Sequence, residues 1–293
     1  MWVLLALLSA VFSSLYYLSA QNIKMDANTF MVYRGWLVAA MLLPILILNP
    51  IKFPPMFYFM AAIQGAVSAY IDYVSFGLNK KYGSETVGSI TPLTVVIVFA
   101  MWCFIDTDLL ATYWKNPLQT GVIFFSCAGV AFAINRYHQV EFTRQAFYKI
   151  LPLLLLISLV IVLSKLVMNY SSDRPILAVL WQNFIIAAVI GIVHLGVYRH
   201  KKLSVKNLIL PKNLFKGLIF LYAVGVCVLK TLAIYYAQNP AYVSALAYTS
   251  IIWVIIFSHS FRIFKFNTTS EQAAIKWKIL FLVSVVMLIL VTH

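Results

Sequence analysis

The sequence predicts an all-α integral membrane protein, ten transmembrane helices folded as two inverted five-helix repeats, and three observations predict it. Hydrophobic residues make up 63% of the 293-residue chain and charged residues 10%, against about a quarter charged in soluble domains. The apolar residues gather into ten runs of the length a bilayer crossing needs, about 20 residues. The basic residues fall mainly in alternate connections between those runs. Barrel strands are excluded, because the runs are too long for them and lack period-two alternation. The spans and their short loops use up the chain, which leaves no room for a separate catalytic, nucleotide-binding or DNA-binding domain.

Residues 1–20 end in Leu18-Ser19-Ala20-Gln21, loosely like a signal peptide. They have no basic leader and further runs follow, so they read as the first membrane helix. The second run, 29–48, carries Arg34. The third, 56–78, carries Gln64, Ser68, Asp72, Ser75 and, just beyond it, Asn79, at steps of four, four, three and four, which is one face of a helix. The fourth run is 85–105 and the fifth 118–134. Lys165 lies near the end of the sixth, 147–168, and Gln182 and Asn183 lie in the seventh, 176–198. Lys230 is deep in the eighth, 214–237; Ser244 and Tyr248 sit one turn apart in the ninth, 241–261; the tenth covers 273–292. Residues 1–134 make the first repeat, 135–146 a basic connecting loop, and 147–293 the second repeat.

The odd-numbered connections and their flanks, from Lys24 through Lys80, Lys81, Arg136, Arg144, Lys149 and the cluster from Arg199 to Lys216 to Arg262, Lys265, Lys276 and Lys278, hold 16 Lys and Arg. The even-numbered ones hold Lys52, Lys115 and Arg174. By the positive-inside rule the odd loops face the cytoplasm and both termini face outward. The net charge of +14 is thus a topology signal, and nucleic acid is not expected as a partner.

Internal similarity points to a duplication. Val32-Tyr33-Arg34-Gly35-Trp36-Leu37-Val38-Ala39-Ala40 lines up with the stretch from Val179 to Ala188, given one residue of slack. Glu85-Thr86-Val87-Gly88-Ser89-Ile90 lines up with Ala241-Tyr242-Val243-Ser244-Ala245-Leu246. Five helices per copy force the second copy to enter the membrane inverted, an arrangement that transporters use for alternating access.

These residues resemble the drug/metabolite transporter superfamily of the EamA type, which is built of two five-helix repeats. The run Thr29 to Ala40, with Arg34 before small residues, is similar to that family's second helix. Gly83-Ser84-Glu85-Thr86-Val87-Gly88-Ser89-Ile90-Thr91-Pro92-Leu93 is similar to the start of its fourth, and Lys165-Leu166-Val167-Met168 stands where its sixth often ends in a basic residue. The resemblance runs over essentially the whole chain. It implies that the first four helices of each repeat line a central cavity and that the fifth and tenth are peripheral. Two departures stand out. Asp106, Asp108, Gly121 and Gly129 follow the fourth helix, but Glu271 leads into a tenth helix without glycine. The loop charge also places the termini opposite to the family's usual cytoplasmic position.

Ionisable groups within spans cost at least about 2.5–3.5 kcal/mol on insertion scales and mark function by default. Four stand out: Arg34, Asp72, Lys165 and Lys230. Arg34 is five residues into its run, about 8 Å deep, so it either snorkels or faces a cavity. Lys165 is within about one turn of its helix end, where snorkelling is the simpler reading. Lys230 is deeper and reads as a substrate contact or as half of a structural pair. The Asp72 stripe either lines a wet cavity or bonds neighbouring helices.

The substrate-binding candidates are therefore Tyr17, Arg34, Gln64, Ser68, Asp72, Gln182, Lys230 and Tyr248. Arg34 and Lys230 would take a carboxylate or phosphate, Asp72 would hold an ammonium or carry a coupling proton, and the others would give neutral hydrogen bonds. Catalytic signatures are missing: Cys103, Cys127 and Cys227 have no metal or disulfide spacing, and His138, His194, His200, His259 and His293 form no HExxH. No Walker loop is present, and no cofactor or metal is called for.

The expected function is secondary transport of a small anionic or zwitterionic metabolite, an amino acid, organic acid or phosphorylated compound. The expected setting is a multi-pass position in a cell membrane, a bacterial inner membrane by the shortness of the loops, as monomer or homodimer with lipid around it. The alternative is a membrane enzyme or lipid-handling protein for a lipid-linked phosphate, recruited by the basic loop from Arg199 to Lys216.

Overall fold

The computed structural model describes residues 1–21, 27–82, 91–137, 144–171, 174–200, 219–260 and 271–292. Over these the fold is all-helical. The helices are α1 (Trp2–Gln21), α2 (Ala27–Leu48), α3 (Pro55–Tyr82), α4 (Thr94–Ile105, after a 3₁₀ turn Thr91–Leu93), α5 (Thr107–Lys115) and α6 (Pro117–Tyr137). They continue as α7 (Arg144–Met168), α8 (Pro175–His200), α9 (Phe220–Tyr236), α10 (Pro240–Ala247), α11 (Ser250–Ser260) and α12 (Glu271–Thr292). Four of them begin on proline, α3, α6, α8 and α10, because a first-turn residue needs no N–H partner and a fixed φ suits the helix start. Asp106 caps α5 by accepting from the Leu109 amide at 2.9 Å, and Asn239 caps α10 by accepting from the Ala241 amide at 3.0 Å.

Chain direction alternates. At one end Trp2 of α1 stacks near Tyr242 of α10, with ring centroids 5.9 Å apart. At the other, Tyr16 of α1 meets Phe30 of α2 and Phe220 of α9 at 6.3 and 6.4 Å. We call the first the even-loop end and the second the odd-loop end.

Among the described residues four helices are long and apolar enough to cross a membrane, spanning Trp2–Ser19, Thr29–Leu48, Phe147–Met168 and Pro175–His200. A fifth span results if Thr91–Ile105 and Thr107–Lys115, bent by 104°, are taken together. The outer surface suits lipid: Leu48, Phe59, Phe104, Phe125 and Leu290 are largely exposed, whereas Gln64, Ser158, Gln182, Asn183 and His194 are buried. In water that distribution would be inside out. The chain is a multi-pass membrane protein.

Two elements differ from the sequence expectation. Residues 107–115, read as part of a connection, form α5, turned sharply at its Asp106 cap. The ninth run is not one helix: it breaks at Tyr248-Thr249 into α10 and α11. The Gly83–Ile90 stretch of the fourth run, Lys24, His138, the basic cluster from Lys201 to Lys216, Arg262 and Lys265 lie outside the described residues.

The main core sits at the even-loop end. There α10 is buried from Pro240 to Leu246 among Trp2 and Ala6 of α1, Val95, Val98 and Trp102 of α4, and Val130 of α6. The most extensive packing pairs α2 with α8, α6 with α12, α1 with α9, and α3 with both α8 and α7. Small residues permit the closest of these. A Cβ added to Gly35 would land on the backbone N and Cα of Gly191, so α2 and α8 cross backbone to backbone. A Cβ added to Gly129 would strike the Ser284 hydroxyl; this is how α12, which has no glycine, still docks closely on α6.

Candidate functional site

Five helices enclose a cavity of about 250 Å³ in the middle of the bundle. Each gives it one helical face. From α8 come Asn183, Ile186, Ala187 and Ile190, and from α9 come Ala223, Cys227, Lys230, Thr231 and Ile234, both at the spacing of successive turns. Arg34, Gly35 and Val38 come from α2, Gln64 and Ser68 from α3, and Val160, Ile161 and Ser164 from α7. Ile161 and Ile234 also belong to the main core, so packed side chains close the cavity toward the even-loop end.

Of the residues expected from sequence, Arg34, Gln64, Ser68 and Lys230 line this cavity. Asp72 is one turn beyond Ser68 and off the lining. One guanidinium nitrogen of Arg34, Nη1, donates to both Asp72 carboxylate oxygens, at 3.1 and 3.2 Å. Arg34 is therefore half of an ion pair, with side chains 31% and 16% exposed. Tyr17, half-exposed on α1, is not on the lining but lies within electrostatic reach of both Arg34 and Asp72.

Gln182 lies directly behind the lining. Its Nε2 donates to Gln64 Oε1 at 2.8 Å and to Ser164 Oγ at 3.3 Å, while Gln64 Nε2 donates to the Val160 carbonyl at 3.2 Å. These bonds tie α3, α7 and α8 together, so the polar stripe of α3 serves both alternatives left open by its sequence: lining at Ser68 and Gln64, interhelical bonding at Gln64 and Asp72. The side chain of Asn79 lies outside the described ones.

Tyr248 has another place. Its hydroxyl donates to the Thr91 carbonyl at 3.1 Å and accepts from Thr94 Oγ1 at 3.1 Å. Those groups flank Pro92 at the 3₁₀ start of α4, so Tyr248 pins the break between α10 and α11 to the start of α4, away from the lining. Lys165 neither snorkels nor binds in the cavity: its Nζ donates to the Tyr235 and Ala237 carbonyls at 2.6 and 2.7 Å, where a cation satisfies the orphan acceptors at the C-terminus of α9. Beside it in the even-loop closure, the hydroxyls of Tyr113 on α5 and Tyr242 on α10 hydrogen-bond to each other.

Lys230 is the exception among the intramembrane cations. Among the described residues it has no hydrogen-bond or ion-pair partner. His194 on α8 is buried with Nε2 unpartnered among the described residues.

The sequence reading left Ser164, Asn183, Cys227 and Thr231 out of the candidate site. Asn183 and Thr231 bond across the α8–α9 contact at 3.3 Å. Their signal was available: Cys227, Lys230, Thr231 and Ile234 share one helical face, as do Asn183, Ile186, Ala187 and Ile190.

Fold and site together define a multi-pass membrane protein with a partly polar cavity at mid-bundle and, on its wall, a lysine ammonium without a partner among the described residues. No protein-family model matches the chain, and no curated protein matches it.

Proposed function

We propose that this chain is a secondary transporter of the drug/metabolite kind that its sequence resembles, carrying a small anionic or zwitterionic solute by alternating access. The observation that carries the reading is the cavity itself. Residues of the first half (Arg34, Gln64, Ser68) and of the second (Ser164, Asn183, Lys230) converge on it, as a site between two rocking halves requires.

Two further features support it. Among the described residues five spans are long and apolar enough to cross a membrane with the bent pair counted as one. If α3, long enough but diluted by its polar stripe, also crosses, together with the shorter apolar stretches Pro117–Ala133, Phe220–Tyr236, Ile279–Thr292 and Pro240–Val254, the last running over the break between α10 and α11, the crossings would number ten. Exchanging residues 1–134 for 147–293 helix by helix also reproduces the packing: α2 against α8 and α6 against α12 map onto themselves, and α1 against α9 maps onto α7 against α3. Two inverted copies would give this contact pattern. The closure at the even-loop end then belongs to one of the two access states, with both termini on that side and, by loop charge, outside.

The test is solute counterflow in proteoliposomes holding the full chain. A carrier exchanges labelled solute without altering it. A chemically changed product would favour the membrane-enzyme alternative, and neither exchange nor change would refute transport.

A further inference from the structure

The chemistry of the lining narrows the solute, an inference that rests on the transporter reading. Most polar lining groups are already bonded within the protein. Arg34 is held by Asp72, Gln64 by Gln182 and the Val160 carbonyl, and Asn183 by the Val179 carbonyl and Thr231. Ser164 accepts from Gln182. Lys230 and Ser68 line the cavity with no hydrogen-bond partner among the described residues. The Arg34–Asp72 pair is neutral as a unit, so the wall keeps one positive charge.

We propose that the cavity takes a small monocarboxylate with a compact hydrocarbon body, its carboxylate on the Lys230 ammonium with the Ser68 hydroxyl as second donor. Val38, Ile161, Ile186, Ile190, Val226 and Ile234 form the apolar wall that receives the body. Size fits: a 150 Å³ cavity admits the six heavy atoms of benzene, so 250 Å³ corresponds to about ten. An α-amino acid of the same skeleton fits worse, because its ammonium finds no carboxylate on the lining among the described residues, and Asp72, one turn beyond Ser68, is engaged by Arg34. A sugar phosphate fits worse again. It brings about two negative charges to one free cation, and its hydroxyls would lie unpaired against branched aliphatic side chains.

The test melts the purified full chain in detergent against 4-methylpentanoate, leucine and 4-methylpentanamide, which are close in size, and against the larger glucose 6-phosphate. The wild-type protein should be half-saturated by 4-methylpentanoate at a concentration at least tenfold below that of the other three. Lys230→Met should lose this preference and take the neutral amide at least as well as the acid, which also shows that the variant is folded. Lys230→Arg should keep the preference for the acid. Leucine or glucose 6-phosphate binding as tightly as 4-methylpentanoate would overturn the assignment, as would a preference for the acid that survives Lys230→Met. If the class fails while another solute is exchanged by proteoliposomes, the carrier reading stands alone; if the folded wild-type protein exchanges no solute, both fall.

Discussion

The Arg34–Asp72 pair should behave as one energetic unit. Its two contacts of 3.1 and 3.2 Å come from a single guanidinium nitrogen, and its side chains are 31% and 16% exposed. Removing one partner of a fully buried pair costs about 3–5 kcal/mol, because the other charge is left uncompensated. Partial exposure at the cavity discounts this toward the small values of solvated pairs, so Asp72→Asn and Arg34→Gln should each destabilise by about 2 kcal/mol. In the double variant Arg34→Gln/Asp72→Asn no charge is stranded, and two amides can still bond across α2 and α3. Its loss should therefore be no larger than either single loss, a coupling of about 2 kcal/mol. The assay is unfolding of all four proteins in mixed micelles under one set of conditions. Contacting groups couple by about 0.5–3 kcal/mol, whereas independent sites add to within about 0.5 kcal/mol. Additive losses would refute the pairing, and with it the claim that Lys230 carries the cavity's one uncompensated charge.

Gly35→Ala should lower the melting temperature by an amount equivalent to about 1–3 kcal/mol of overpacking, because its Cβ meets the Gly191 backbone; Gly77→Ala, where nothing lies within 4 Å, should leave melting unchanged or raise it. Lys165→Met should destabilise by about 1–3 kcal/mol through the two stranded carbonyls of Tyr235 and Ala237, measured in the same micelle assay, with 4-methylpentanoate binding retained. Tyr113→Phe and Tyr242→Phe should each cost about 1–3 kcal/mol by orphaning the other hydroxyl, while the double variant, with neither hydroxyl present, should be nearer to wild type; a double loss equal to the sum would contradict their hydrogen bond. Tyr248→Phe frees Thr91 and Thr94 from α10 and should change exchange rate in proteoliposomes with little effect on ligand affinity, whereas a large affinity loss would put Tyr248 on the site.

Helix positions were legible because lipid imposes one rule on every span: a continuous apolar run with internally bonded backbone. Runs such as 29–48 and 147–168 accordingly coincide with helices whose ends shift by a few residues. The bend at Asp106 and the break at Tyr248-Thr249 were not legible for the same reason, since hydropathy is blind to a turn inside an apolar stretch. What decides the break is lateral: the Tyr248 hydroxyl is satisfied by Thr91 and Thr94, which lie 157 and 154 residues away in sequence. Likewise α5 depends on the local Asp106 cap, and a cap is weak information beside a count of apolar residues.

The candidate site was legible as a set of residue types and only partly as partners. Three cations against one carboxylate suggested a strongly positive region, yet two of the cations are compensated by means that composition cannot express. Arg34 reaches Asp72 because the second and third helices bring together residues 38 apart in sequence. Lys165 is satisfied by main-chain carbonyls, groups that every residue carries and no sequence pattern marks. The excess of charge thus contracts to Lys230, and the argument for an anion grows narrower but sharper. A region of three free cations would suit phosphates and polyanions, whereas one free ammonium in an aliphatic wall discriminates against them by leaving their further charges and hydroxyls unpaired.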